Sequence, residues 1–412
     1  MERSLPPDPG KDGRPGNPLN HGLGPYLHEL GRFESTQELH KSDLYGRLQP
    51  QIDRTLKYVL TESYSHDFSS SVRRSIRATS WNIERGIELE GIIEVLATHP
   101  VISESDLFIL TELDYGMARS GNRKVPTEIA RALKLNYAFA PSYLNLQKGS
   151  GLESLAEGQN ELGIHGNAVF SRHPLTNTAS VQLPNGKDKM RGNEKRLGSQ
   201  AGVVAVVDHP LGSFQAVSVH LDAHSTQKHR MRQMQLILEN LKARAPHLPA
   251  LIGGDWNTST FNSRNAFFTI MGYNRRVLMG IRNVIRNHYP HPDRWFERHL
   301  FRALEREGYQ YKNLNAPGVC TLHYDINDLA ANGRMADWIP NWCFWFINWA
   351  LERNNGRCSF KLDWFAGKGI EPSEKFPPAV ISDVHRPDLM LSDHDPIVLD
   401  FVPAAKTRSP DS

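Results

Sequence analysis

A carboxylate joined directly to an imidazole, Asp393–His394, stands ahead of the apolar run Ile397-Val398-Leu399-Asp400-Phe401. Four other polar clusters sit at the ends of hydrophobic, strand-like runs: Trp81-Asn82-Ile83-Glu84, Thr111-Glu112-Leu113-Asp114, His220-Leu221-Asp222 and Gly254-Asp255-Trp256-Asn257. Polar groups placed repeatedly at strand ends predict one shared site at the rim of a sheet. Hard carboxylates and amides there suit Mg2+ or Mn2+, ions that keep several waters and take further ligands from a phosphate.

Glu112 follows Phe108-Ile109-Leu110 and is the expected first metal ligand; taken alone it would read as a solvated loop acid. Asp255 and Asn257 follow Leu251-Ile252-Gly253-Gly254, where two glycines permit close backbone approach and the i, i+2 spacing sends both side chains to one side. The functional reading gives Asp255 the attacking water and Asn257 the phosphate oxygens; the plain alternative is an Asx turn closing a strand. His394 can accept a proton or bond a phosphoryl oxygen near neutral pH, oriented by Asp255, Asp363 or Asp393. His220 ends Ala216-Val217-Ser218-Val219 and suits donation to a non-bridging oxygen or help to the leaving group, whereas His224 reads as a loop residue. Asp363, in the alternating run Phe360–Phe365, is expected to orient a histidine or complete the metal shell.

Strands and helices must position these groups. Strands are expected at Ile76–Trp81, Leu107–Thr111, Ala168–Ser171, Gly202–Asp208, Phe214–His220 and Leu248–Gly253. Helices are expected at 36–62, with Pro50 as a break or kink, at Ile92–Thr98, at Pro126–Leu135 and at Lys228–Ala243. Meander-like strands with occasional helices predict a mixed α+β sheet system; a purely parallel sheet would need a crossover helix at nearly every step. Pro- and Gly-rich residues 1–34 read as a flexible tail, 35–75 as a helical extension, 76–403 as the catalytic domain and 404–412 as a second tail.

Residues 260–362 read as a helical insertion rich in basic and aromatic groups. Arg264, Arg275, Arg276, Arg282, Arg286, Arg294, Arg298 and Arg302 face only Asp293 and Glu297, and Trp342–Trp349 is an aromatic cluster. Arg264, Arg275, Arg276 and Trp295 are the candidate substrate contacts, able to follow a phosphate backbone and stack on bases. The alternative for the arginines is a solvated helical face. For the aromatic cluster the choices are a membrane interface or an ordinary packed helix.

A chain of 412 residues with 39% hydrophobic and 23% charged residues fits one large or two ordinary globular domains. A formal charge of +3 is too small to name a nucleic-acid partner by itself. Cys320, Cys343 and Cys358 are too few and too irregular for a disulfide framework or a zinc site. With no signal-peptide pattern and no run of ~20 apolar residues, a cytoplasmic protein is expected.

Taken in order, Thr79-Ser80-Trp81-Asn82, Thr111-Glu112-Leu113-Asp114, Gly166-Asn167-Ala168-Val169-Phe170-Ser171, Val219-His220-Leu221, Gly254-Asp255-Trp256-Asn257, Leu362-Asp363-Trp364 and Ser392-Asp393-His394-Asp395-Pro396 resemble the endonuclease/exonuclease/phosphatase superfamily. The resemblance runs from Ile76 to Phe401 and implies a four-layer α/β/β/α sandwich of two packed mixed sheets. It further implies Mg2+ or Mn2+ as cofactor, with Asn82, Glu112 and Asp393 as the metal set and Glu84 nearby. His220, Asp255, Asn257, Asp363, Asp393 and His394 would be the catalytic set for metal-assisted phosphoester hydrolysis. Lys361-Leu362-Asp363-Trp364 departs from the Trp-Cys-Asp-Arg stretch of the inositol-polyphosphate phosphatases. His220 departs from the apurinic-site enzymes, which carry a tyrosine in that region. A nuclease-type phosphodiesterase is therefore the first expectation and a lipid or small-molecule phosphodiesterase the second. A non-catalytic binding module on the same fold should have lost Glu112, Asp255, Asn257 or His394, and all are present. The substrate is then a phosphoester; nucleic acid is one candidate partner and a membrane surface another, and no protein partner follows from the sequence.

Overall fold

The runs read as strands pair into two mixed sheets. The computed structural model describes residues 16–65, 74–258, 266–325, 351, 355–385 and 389–404. In chain order the helices are α1 (Gly24–Leu30), α2 (Thr36–His40), α3 (Asp43–Lys57), α4 (Leu89–Thr98), α5 (Val125–Leu133), α6 (Gln227–Arg244), α7 (Ala266–Leu278), α8 (Ile281–Asn283) and α9 (Arg298–Arg306). The strands are β1 (Leu60–Glu62), β2 (Ile76–Arg85), β3 (Leu107–Tyr115), β4 (Asn136–Asn145), β5 (Ile164–Ser171), β6 (Leu175–Gln182), β7 (Arg196–Gly198), β8 (Ala201–Val207), β9 (Phe214–Ser218), β10 (Ala250–Asp255), β11 (Leu322–Asp325), β12 (Arg357–Phe360), β13 (Asp363–Lys368), β14 (Ile370–Pro372), β15 (Ala379–Val380) and β16 (Ile397–Pro403).

The first sheet has the order β1-β4-β5-β3-β2-β16-β14, with β7 on β4 and β15 on β16. The second has the order β13-β10-β9-β8-β6. Each contains one parallel pair closed by a crossover helix, β2–α4–β3 and β9–α6–β10, and antiparallel pairs elsewhere. Strands such as β3 and β8 are buried on both faces, which is why they read as continuous apolar runs. Ile109, Val169, Val203, Ala216, Leu251, Phe365 and Leu399 fill the space between the sheets. Leu96, Ile129, Leu48 and Ile52 from the helices cover the outside of the first sheet, and Met234, Ile237, Leu300 and Phe301 cover the second. The result is the four-layer sandwich expected from the resemblance.

Three local expectations are corrected. Residues 36–62 form two helices and a strand because Ser35 and Ser42 each accept a hydrogen bond from a backbone N–H in the following turn and cap separate helices. Pro50 lies inside α3 without ending it. Residues 16–34, expected as part of a flexible tail, are packed: Leu19, Leu23, Leu27 and Leu30 recur at helical spacing and are buried in the outer core. Within the expected insertion, α9 joins the second core against Trp256 and Trp364, and the fully buried Arg230–Glu297 pair ties it to α6. Trp342–Trp349 lies outside the described residues. No helix among the described residues is long and apolar enough to cross a membrane.

His21 pins the packed arm. Its Nδ1 accepts the Leu23 N–H at 2.9 Å and its Nε2 meets the Leu162 carbonyl at 2.7 Å, a pattern that requires the neutral ring with hydrogen on Nε2. Burial lowers its pKa from 6.5 to about 4, against the raising effect of the Leu162 carbonyl. Because the folded value lies below the unfolded one, this stability is complete above pH 6.5 and is lost as pH falls toward 4. The loss should reach about 3 kcal/mol. Denaturant titrations at pH 7 and 4.5 should show a smaller acid-induced loss in His21→Gln than in the parent chain; equal losses would discard the assignment.

Candidate active site

The polar clusters meet at one rim of the sandwich, where the ends of β2, β3, β10 and β13 approach the segment before β16. Two irregularities aim the side chains. The β2–β3 register shifts between Asn82 and Arg85, and the β3–β5 register shifts between Leu110 and Leu113. Glu84, Arg85 and Glu112 at these shifts adopt left-handed backbone conformations, with φ of 45°, 67° and 58°, and Asn257 after β10 does so with 50°. Such strain in non-glycine residues persists only where the surroundings enforce it. For Glu112 the enforcing contact is its N–H, which donates to Asn167 Oδ1 at 3.2 Å, while Asn167 Nδ2 donates to the Ala201 carbonyl in the opposite sheet.

Asp255 Oδ2 is the point of convergence. Asn82 Nδ2 lies 3.2 Å from it, Asn257 Nδ2 3.3 Å, His220 Nε2 3.5 Å and His394 Nε2 3.7 Å. Asn82 Nδ2 also donates to Glu112 Oε1 at 3.1 Å, and Glu112, His220 and Asp255 bring one ligand atom each within 4.8 Å of one another. Asp255 Oδ1 accepts the Asn257 N–H at 2.8 Å, the Asx turn foreseen as the plain alternative, so turn and site coincide.

The antiparallel β10–β13 register sets Asp255 directly opposite Asp363. Two carboxylates in that relation repel. His394 resolves the conflict: its Nδ1 is 2.7 Å from Asp363 Oδ2 and its Nε2 faces Asp255. Burial disfavours a charged His394 ring, but Asp363 and then Asp255 outweigh that cost and raise its pKa well above the ordinary value. Burial pushes Asp255 upward against the pull of His394. Of the three carboxylates expected to orient His394, Asp363 makes the side-chain hydrogen bond and Asp255 faces the other ring nitrogen at 3.7 Å.

His220 behaves oppositely. Burial lowers its pKa despite nearby Glu112, so the ring is neutral. Its Nε2 accepts from Asn257 Nδ2 at 2.8 Å, which places the ring hydrogen on Nδ1. That atom points toward Glu112 Oε1 at 3.8 Å and makes no hydrogen bond. Burial also works against the Glu112 carboxylate, yet the Arg85 guanidinium 3.6 Å from Oε2 holds it well below the usual range.

Several expected residues are placed differently. Asp393, expected as a metal ligand, is not in the Glu112–His220–Asp255 group and contributes its backbone N–H, donated to Glu84 Oε2 at 3.2 Å. Asn82 turns its amide nitrogen toward the carboxylates while its Oδ1 accepts the Glu84 N–H. Arg264 lies outside the described residues, and Arg275 is exposed. Arg276 is buried, its guanidinium 4.6 Å from the Phe296 ring centroid, because the small cluster around Tyr289 takes its stem and head inward. Trp295 is 56% exposed beside His288. Sequence reasoning missed Arg85, which links Glu112 to Glu153 at 3.1 Å, and Thr321, whose Oγ1 accepts the Leu362 and Asp363 N–H groups. Neither carried a signal: an arginine after a glutamate reads as solvated, and Thr321 is remote in sequence from Asp363.

A sequence model described as the endonuclease/exonuclease/phosphatase family matches residues 79–358. No curated protein matches the chain at a significant level. Among solved structures, an endonuclease/exonuclease/phosphatase from Beutenbergia cavernae is 17% identical with a TM-score of 0.47, covering 81% of this chain and 72% of that one. The human Nocturnin catalytic domain with bound sulfate is 15% identical with a TM-score of 0.41, covering 84% and 96%. D. rerio TDP2 complexed with a single-strand DNA product is 13% identical with a TM-score of 0.42, covering 80% and 99%.

Proposed function

The chain belongs to the endonuclease/exonuclease/phosphatase family, and from that membership we propose that it is a divalent-metal-dependent phosphodiesterase of nuclease type. The observation that carries the reading is the meeting of Glu112, His220 and Asp255 within 4.8 Å beside the charged His394–Asp363 pair. Glu112 and Asp255 offer the hard oxygens that Mg2+ or Mn2+ takes, and the buried His220 Nδ1, which makes no hydrogen bond, supports a further polar group there. The bound ion would supply charge neutralisation at the phosphoryl oxygens and leaving group.

The protein's own groups divide the remaining work. Asp255, on whose Oδ2 Asn82, His220 and His394 converge, is placed to draw a proton from the attacking water as the new oxygen–phosphorus bond forms. His394, its pKa raised by Asp363 and Asp255, would donate from Nε2 to a phosphoryl oxygen, the one of its two expected roles that this charge supports. Neutral His220 donates from Nδ1 to a second oxygen or to the departing one. Asn257 holds His220 in that tautomer.

The nuclease preference rests on the exposed arginines Arg275, Arg282, Arg286, Arg294, Arg298 and Arg302 and on exposed Trp295, chemistry that suits a polyanion with stackable bases. One observation favours a lipid diester instead: Leu152 and Leu155 are 65% and 75% exposed on the turn whose Glu153 reaches Arg85. A panel of single- and double-stranded DNA, RNA, sphingomyelin, phosphoinositides and bis-p-nitrophenyl phosphate, assayed with Mg2+ and Mn2+, tests both. Nuclease activity should be abolished by EDTA and fall steeply with salt. Cleavage confined to lipid, with flotation on vesicles lost in Leu152→Asp/Leu155→Asp, would transfer the function to the second reading. Failure to cleave any diester with either metal would remove both.

A further inference from the structure

A second group of ligating side chains lies at the opposite rim. Asp106 immediately precedes β3, His173 follows β5 and His209 sits in the turn between β8 and β9. Their ligand atoms lie within 4.8 Å of one another, and the two imidazoles meet edge to face with centroids 4.2 Å apart. Six residue steps of extended chain lead from Asp106 to Glu112, about 20 Å along β3, so this group is no extension of the active site.

The three loops are tied together by their main chains. The Arg172 N–H donates to the Asp106 carbonyl at 3.0 Å, and the Asp208 N–H donates to the Pro174 carbonyl at 3.0 Å. Asp106 itself and the residue before His209 are thereby fastened to the two neighbours of His173. The His173 N–H donates to Ser171 Oγ, and its carbonyl accepts from Asn136 Nδ2. Asp106 Oδ2 accepts the Arg77 N–H at 2.9 Å, an orienting contact of the kind that supports ligating carboxylates.

We propose that Asp106, His173 and His209 form a second divalent-cation site, of zinc type, that clasps the two sheets together at the rim away from the phosphoesterase centre. Two imidazoles and one carboxylate are borderline-soft donors that favour Zn2+ over Mg2+ and leave one position for water. Donors about 2.1 Å from a tetrahedral ion are roughly 3.4 Å apart, so loading draws the group inward. The half-exposed His209 turn is the part able to move. His209 Nδ1 now accepts the Leu211 N–H. On binding through Nε2, the ion displaces the Nε2 proton and the ring hydrogen moves to Nδ1. The Leu211 N–H passes to solvent in this exposed turn.

Equilibrium dialysis and thermal unfolding of the full chain with Zn2+ alone test the proposal. Glu112→Gln should retain one bound equivalent and the Zn2+-induced rise in Tm. His209→Ala and His173→Ala should each lose that equivalent and that rise, while their Mg2+-supported hydrolysis of bis-p-nitrophenyl phosphate stays within twofold. His209 is in a turn, so its variant keeps the test informative if His173→Ala folds poorly. No zinc retained by Glu112→Gln, or an unchanged equivalent in folded His209→Ala, overturns the site.

Discussion

Asp363→Asn is expected to lower kcat by about 10³- to 10⁴-fold, with KM changing only a few-fold. The carboxylate is fully buried, and its Oδ2 holds His394 Nδ1 at 2.7 Å. It is the first of the charges that keep the ring positive against burial. An asparagine fills the same volume and preserves the Thr321 contact to the backbone N–H, but it removes the charge. His394 then loses its proton at neutral pH and can no longer present a charged donor to a phosphoryl oxygen. Folding should survive, because the substitution also removes one of two carboxylates placed face to face across β10 and β13. Single-turnover rates on a diester substrate, with circular dichroism as the folding control, decide it. A variant within tenfold of the parent rate would end the case for an Asp363–His394 unit.

Gly254→Ala is expected to be the most damaging change that leaves every proposed functional side chain in place. Gly254 has φ of +133°, a conformation almost closed to residues with a Cβ, and an added Cβ would stand 2.1 Å from the Val219 carbonyl oxygen. That oxygen belongs to backbone at the end of β9, next to His220, so the relief of the clash must move either β9 or β10. Both carry the site. The destabilisation should be at least about 3 kcal/mol, the sum of a forbidden backbone conformation and strain in a packed interior. Activity should fall at temperatures well below the new Tm, because Asp255 is the next residue. Parent-like Tm and kcat/KM would show that the strand junction is far more pliable than the sheet contacts imply.

What the sequence revealed, and what it concealed, follows from backbone regularity. Glu112, His220, Asp255, Asn257, Asp363 and His394 were legible because each lies at or beside a strand whose apolar pattern is plain. Their gathering at one rim follows from sheet geometry. The metal set was less legible. Glu84 and Glu112 lie where β2 and β3 break register, and left-handed φ values there turn side chains away from the directions that simple alternation predicts. Asp393, expected at the metal from its place in a motif, donates its main-chain N–H to Glu84. Arg276 shows the opposite failure: a run of arginines reads as uniformly solvated, yet aromatic rings around Tyr289 and Phe296 draw one of them inward. The packed arm could have been found from Leu19, Leu23, Leu27 and Leu30, but neighbouring proline and glycine masked the period. Three-dimensional partners such as Thr321 for Asp363 leave no local trace at all.

The β10–β13 ladder pairs Asp255 with Asp363 across 108 chain positions, and the ladder extends from Ala250–Lys368 to that pair. The Trp256 N–H carries it one step further, to the Leu362 carbonyl. Whatever the intervening chain does, its two ends leave the sheet at a fixed separation, already locked in register. The exposed arginine-bearing turns before α9 can therefore vary without re-solving the placement of the acids, whereas α9, packed on Trp256 and Trp364, and Thr321, bonded to the Asp363 N–H, cannot. The acids are thus held by the sheet and its packed helix, and surface change around them need not disturb their pairing.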